Sequence, residues 1–430
     1  MTTELITENA KAILLLCGQF GPSGDSAANP LNIREYDEVA AWLGQKNWWP
    51  ADLLCEENQG ALTEAFAPVA PERMKALLGR GASMAISIEK WINKGLWVLC
   101  RSDEDYPQRL KQHLKRSAPP ILYGAGDRSL LSKGGLAVVG SRNINGEAES
   151  FARAVGRSAA QAGMQLVSGA ARGVDETAMH GAFEEGGAVV GVMADSLLRA
   201  AVSGKYREGI RRGQLTLISP YNPEARFNVG NAMGRNKYIY ALADYAVVVS
   251  SDFEKGGTWA GAEEELRREH GRPVFVRTGS GVPKGNTELL NKGAKPFPAN
   301  ALTENLRDIL CAAMAAPSAK TVSEDEPVAT EEAEPAYPER PAELDSSRFA
   351  VREAPHALPM SVYDAVKPLI LNALDKPRKL DELGQILKVR KAQLQDWVKA
   401  LVDDGLVEYR TIRKIRKLAA RKPDEELKLS

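Results

Sequence analysis

Histidine and cysteine are both scarce, four of each in 430 residues. Cys17, Cys55, Cys100 and Cys311 are scattered, with no CxxC pair and no histidine at metal-ligand spacing. That argues against a zinc ribbon, a disulfide framework or any resident metal. No apolar run approaches the roughly 18 residues a membrane span needs. The run Ala12–Cys17 follows Glu4 and Glu8 rather than a basic stretch, so it reads as one face of a small helix in a cytoplasmic protein, not as a signal segment. An excess of one charge is missing as well: 56 Lys and Arg balance 56 Asp and Glu. A polybasic protein is thereby excluded, and any nucleic-acid site has to be sought segment by segment. What remains is an ordinary globular composition, 44% hydrophobic, with length for about two to four domains.

The rhythm of the chain changes three times. Residues 1–100 read as a helical N-terminal domain, interrupted by a Gly/Pro/Asn-rich loop at 21–32 and carrying five of the seven tryptophans as core filler. Residues 101–315 bring short continuous apolar runs: Leu136–Val139, Gln165–Val167, Ala188–Val192, Leu215–Ile218, Tyr245–Val249 and Pro273–Val276. Amphipathic stretches such as Glu147–Ala162 and Thr258–His270 lie between most of them. Strands apolar on both faces that alternate with helices predict an α/β fold, a Rossmann-like doubly wound parallel sheet. Residues 316–360 interleave prolines with an acidic cluster from Glu324 to Asp345, the composition of a flexible linker. Residues 361–430 predict three helices and then a strand, the order of a C-terminal winged helix. Leu394, Trp397, Val398 and Leu401 form the buried stripe of its third helix, leaving Lys391, Gln395 and Lys399 outward as DNA candidates beside a basic tail.

In an open parallel sheet, ligands bind outside the carboxyl ends of the strands. Gly140-Ser141-Arg142 follows the first strand and Ser168-Gly169-Ala170-Ala171-Arg172-Gly173-Val174-Asp175 the second. Gly234-Arg235-Asn236-Lys237 enters the helix before the fifth, and Lys255-Gly256-Gly257-Thr258 follows the fifth. Tight turns need glycine for steric reasons alone, so one such loop carries little. Four on one edge, each beside a cation and near helix amino ends, predict an anion site for several phosphates. Other chemistries fail on spacing. No GxGxxG follows the first strand, Lys284-Gly285-Asn286-Thr287 is not a Walker loop, Ser168 lacks a GxSxG context, and His180 is expected at a helix surface. Neither a cofactor nor a catalytic residue is assigned.

Read in order, these residues resemble a family. Asp105-Tyr106-Pro107, Pro119–Tyr123, Val138–Arg142, Val167–Asp175, Gly234–Asn236, Gly256–Thr258, Gly271–Val274 and Gly285–Leu290 are similar to the motifs of the DNA-processing protein A (DprA, or Smf) family over some 190 residues. The likeness is that of a diverged member: Met179 stands where the family usually has histidine, and Asn231-Ala232-Met233 replace its Phe-Pro. It implies a non-catalytic, self-associating (homodimeric) protein that binds single-stranded DNA in a basic pocket. It further implies loading of a RecA-type recombinase in DNA recombination and natural transformation, or a defence variant of that role. By matching position, Arg142, Ser168, Gly169, Arg172, Gly173, Arg235, Asn236, Gly256 and Thr258 would line the pocket. Phe227, Tyr238, Phe253 and Trp259 are candidate stacking platforms. The alternative is a small-nucleotide sensor or nucleoside-phosphate hydrolase of the related lysine-decarboxylase-like superfamily. Gly256-Gly257-Thr258 is similar to its motif, but Gly261 stands where the glutamate belongs and Glu263 comes two residues late.

Overall fold

The computed structural model describes residues 6–20, 29–55, 57–58, 60, 69–315, 362–387, 391–412 and 415–420. The expected linker at 316–360, and Arg413, Lys414, Arg421 and Lys422 of the basic tail, lie outside them. The chain forms two compact units, the first drawn from Met1–Cys17, Leu31–Ala61 and Trp91–Tyr337, the second from Gly18–Pro30, Leu62–Lys90 and Pro338–Ser430.

The first unit is organised by nine strands: β1 (Trp97–Cys100), β2 (Ile121–Ala125), β3 (Leu136–Gly140), β4 (Leu166–Ser168), β5 (Val189–Val192), β6 (Leu215–Ser219), β7 (Tyr245–Ser250), β8 (Val274–Val276) and β9 (Lys295–Pro296). Their order in the sheet is β1-β2-β6-β5-β4-β3-β7-β8-β9. The seven from β6 to β9 are mutually parallel, and β2 and β1 extend that edge antiparallel. The six apolar runs of the sequence are β3 to β8. Valine, leucine and isoleucine fill them because helices cover both faces; Val138, Val167, Val190, Leu217, Val247 and Phe275 are all buried. The sheet differs from expectation at its margins. Trp97–Cys100, inside the segment read as wholly helical, is a strand, because the Trp97 indole lies across Gly124 of β2, where a Cβ would meet it at 2.3 Å. The indole Nε1 donates to the Gly126 carbonyl at 2.9 Å, fixing the edge.

The chain winds β3, β4, β5, β6 in one direction, then returns to place β7 on the other side of β3. The switch point of the sheet therefore falls between β3 and β7. The helix Gly146–Gln161 starts beside it, its Asn145 cap accepting from the Ala148 amide at 2.9 Å. It packs backbone-close on the helix Val174–Glu184: a Cβ on Gly156 would sit 2.1 Å from the Ala178 carbonyl oxygen. Two helix amino ends thus reach the same sheet edge.

The apolar run Ala12–Leu16 is buried throughout in the helix Glu8–Cys17, so it is core on all sides rather than on one face. Trp91 is buried edge-on against Tyr123, while Trp42 and Trp48 are half-buried around the Lys46 ammonium. In the second unit, helices Val362–Ala373, Leu380–Leu387 and Lys391–Asp403 precede an antiparallel pair, β10 (Val407–Ile412) and β11 (Ile415–Ala420). Leu394, Trp397, Val398 and Leu401 are buried there with Val366, Ile370, Leu383 and Leu418.

Candidate functional site

The site begins where β3 ends. Ser141 closes the switch point, its amide and hydroxyl both donating to the Ser250 carbonyl of β7 at 2.8 and 3.1 Å. Arg142 then leaves the sheet and its guanidinium lies 5.0 Å from the centre of the Phe227 ring. The loop after β4 folds directly against this turn. Gly173 has φ +90°, and a Cβ there would meet the Ser141 and Arg142 carbonyl oxygens at 2.5 and 2.6 Å, so only glycine lets the two loops touch. Ala170 takes a left-handed φ of +52°, an uncommon conformation for alanine.

Arg235 lies across this loop. Its guanidinium occupies the space a side chain at Gly169 would need, with Nη1 1.2 Å from the ideal Cβ position. It is buried, as is its counter-charge Asp175, 3.6 Å away. Burial pushes the Asp175 carboxyl above its ordinary value, opposed by Arg235 and by backbone amides of Ala171, Gly169 and Gly140 that it accepts from. Burial likewise lowers the Arg235 guanidinium; Asp175 opposes that shift and the like charge of Arg142 adds to it. The decisive detail is donor accounting. Among the described residues, Arg235 Nε and Nη1 are buried with no hydrogen-bond partner. A buried donor left unmade costs about 1–3 kcal/mol, so these two await an acceptor.

Asn236 ties the last element in. Its Nδ2 donates to the Gly257 carbonyl at 2.7 Å, holding the first turn of the helix Gly256–Arg267, with Gly257 and Thr258, beside Arg235. The structure thus gathers Gly140, Ser141, Arg142, Gly169, Gly173, Arg235, Asn236, Gly257 and Thr258, with Arg172 held by Asn143 at 2.8 Å on the same rim. Gly256 and Lys255 are exposed at the amino end of that helix. Two candidates stand apart. Ser168 is fully buried and its hydroxyl donates to the Val138 carbonyl at 2.7 Å, inside the sheet. Lys237 lies over Tyr238 and within the field of Glu264 and Arg268, away from Arg142 and Arg235. Of the aromatic candidates, Phe227 is 54% exposed; Tyr238 and Trp259 are core, and Phe253 packs edge-on against Trp259. Asp175, where the loop after β4 enters its helix, and Tyr221, whose hydroxyl lies beside Gly234, also belong to the site, although neither is among the residues expected to line it.

A doubly wound, largely parallel α/β sheet with glycine-rich loops and two helix amino ends at its switch point is a Rossmann-like fold. Residues 97–308 match the family of DNA recombination-mediator protein A, and this part of the chain belongs to that family. It is 25% identical over 288 residues to the DNA processing protein DprA of Bacillus subtilis (63% of this chain, 92% of that one). It is 29% identical over 199 residues to that of Streptococcus pneumoniae (45% and 68%). A solved structure of DNA processing protein A from Helicobacter pylori, described with its single-stranded DNA binding mode, aligns at 24% identity and a TM-score of 0.41, covering 50% of this chain and 96% of that one.

Among the described residues no helix is long and apolar enough to cross a membrane, and no group of three or more His, Cys, Asp or Glu could hold a metal ion.

Proposed function

We propose that the chain is a single-stranded-DNA-binding protein of DNA recombination that holds phosphates at the carboxyl edge of its sheet and catalyses no reaction on them. The observation that carries this reading is Arg235, a buried cation whose Nε and Nη1 lack protein acceptors beside a glycine-rich turn. A donor set fixed before the ligand arrives loses little entropy on binding, and Phe227 beside Arg142 offers a base one exposed ring. The non-catalytic part is supported by Ser168, whose hydroxyl is engaged inside the sheet, and by His180, which is exposed beside Glu184. Loading of a RecA-type recombinase, in transformation or a defence role, in the cytoplasm and as a homodimer, rests on family membership.

The small-nucleotide alternative is disfavoured by packing. A Cβ at Gly261 would meet the Asn236 Cβ at 3.0 Å, so the glutamate that a hydrolase needs there would have to push Asn236 aside. Glu263 is paired with Arg267 and Lys292 at 2.9 and 2.8 Å instead.

The same proposal treats residues 1–100, 101–315, 316–360 and 361–430 as N-terminal domain, DNA-binding domain, linker and winged helix. Three helices followed by a β-ribbon support the last of these, as do the exposed Gln395 and Lys399 opposite the buried Trp397. The side chain of Lys391 lies outside the described residues. Asp396, Asp403 and Asp404 are exposed nearby and weaken the field, so the module adds little to strand binding.

A mobility shift with single- and double-stranded DNA of equal length tests the reading. Preferential retardation of the single strand is expected, with and without residues 361–430; tighter binding to mononucleotides than to oligonucleotides would favour the alternative instead. Gly169→Ala provides an internal check. Its methyl group displaces only the flexible end of Arg235. Oligonucleotide affinity should therefore fall by about tenfold or more, as for a lost charge-assisted contact, and the melting temperature should fall as well, by less than in Asp175→Ala, because the guanidinium is moved off its buried partner.

A further inference from the structure

The rim carries a second feature that phosphate binding does not use. Beyond the Arg142 turn, between the amino ends of helices Gly146–Gln161 and Val174–Glu184, lies an open cavity of about 650 Å³, a size common to small-molecule sites of about 300–1,000 Å³. Arg142 and Arg172 line it, but so do Glu149 and Glu176, with Asn143 and Asn145 between them. Two carboxylates against two guanidiniums give no net attraction for an anion. A further phosphate is therefore the wrong occupant.

The fixed groups differ in availability. Glu176 is held by Lys205 at 2.7 Å, and Arg172 gives one donor to Asn143 at 2.8 Å. The Glu149 carboxylate, exposed in this lining, has no ion pair or hydrogen bond to another described residue, so its oxygens are available as acceptors. A free carboxylate and guanidinium forks in one lining complement a planar group with two adjacent donors on one edge and two adjacent acceptors on the other. Among the four bases of DNA, guanine alone has that pattern: N1–H and N2–H on one edge, O6 and N7 on the other. Arginine forks bind O6 and N7 bidentately. Thymine, cytosine and adenine offer no two adjacent donors on an edge.

We infer that this cavity is a guanine-reading site, in which Glu149 accepts from the N1 and N2 protons while Arg172 donates to O6 and N7. The inference rests on the single-stranded-DNA reading above: the strand's phosphates lie on Arg235 and one base turns past Arg142 into the cavity. The protein is then a strand binder with a preference at one nucleotide, not an indifferent one.

Fluorescence anisotropy of the full chain with labelled oligothymidylate, and with the same oligomer carrying one central guanine, adenine or hypoxanthine, tests it. The guanine oligomer should bind about tenfold tighter than oligothymidylate, the worth of one good bidentate pair. Hypoxanthine, which lacks the 2-amino group, and adenine should lose most of that gain. In Glu149→Gln the guanine-to-thymine ratio should fall to near one. Equal affinity for all four oligomers in the parent would overturn the proposal while leaving strand binding intact. So would a Glu149→Gln variant that binds every oligomer more tightly by the same factor, since Glu149 would then be only a repulsive surface charge. Failure to bind any of the four would overturn the strand-binding reading and this inference with it.

Discussion

Arg235→Ala is expected to weaken oligonucleotide binding by at least about thirtyfold, the lower end of what truncating a buried hydrogen-bonded charge costs. The loss should be the same for any sequence lacking guanine, because phosphates carry no sequence information. It should also flatten the plot of log affinity against log salt by about 0.7 for the phosphate contact removed. Arg142→Ala should flatten it similarly with a smaller loss, since that side chain is exposed and partly engaged with Phe227. Titrations at several salt concentrations read both effects. Parental affinity and slope in both variants would remove the pocket.

The second large effect concerns stability, and it is asymmetric. Asp175→Ala should cost about 3–5 kcal/mol, as expected when one partner of a buried ion pair is removed. Arg235 cannot shed its proton, so its charge would be left buried without a carboxylate, with the like charge of Arg142 and the Tyr221 hydroxyl as its neighbours. The amides of Gly140, Gly169 and Ala171 would lose their acceptor too. The melting temperature should fall by on the order of 10 °C. Arg235→Ala should cost distinctly less. The carboxylate it leaves behind keeps three backbone donors, and burial already favours its protonated form. Removing both residues should recover part of the Asp175→Ala loss. The sign of the pH dependence follows. A carboxyl with a raised folded-state pKa binds its proton more tightly folded than unfolded, so its burial penalty is relieved as pH falls through that raised pKa. Arg235→Ala removes the opposing charge. That variant should therefore regain stability relative to the parent as pH falls through the acid range. An Asp175→Ala variant melting like the parent would refute the account of this pair.

What the sequence made legible depended on how local the signal was. β3 to β8 could be read because strands buried on both faces are continuous apolar runs between glycines. β1 and β2 could not: their pairing is fixed by Trp97 lying across Gly124, a contact 27 residues apart that leaves no periodic trace. β9, Lys295–Pro296, is too short to have a period at all. For the site, the rule of a small residue beside a cation found Arg142, Arg172 and Arg235. It also found Lys237, because neighbours on a helix point about 100° apart and the rule cannot see direction. Asp175 escaped because an acidic residue in a first helical turn already has a reason to be there in the helix dipole. Only the packing of Arg235 over Gly169 reveals its second role. Phe227 and Trp259 looked equivalent in the sequence; burial separates them.

The most direct measurement is photo-cross-linking of a bromouracil-substituted oligonucleotide to the full chain, followed by peptide mapping. A strand lying on Arg235 must pass Tyr221 and Phe227, so adducts should concentrate in the peptides spanning residues 221–235 and disappear with Arg235→Ala. Adducts confined to residues 361–430, unchanged in that variant, would contradict a binding edge built at the switch of the sheet.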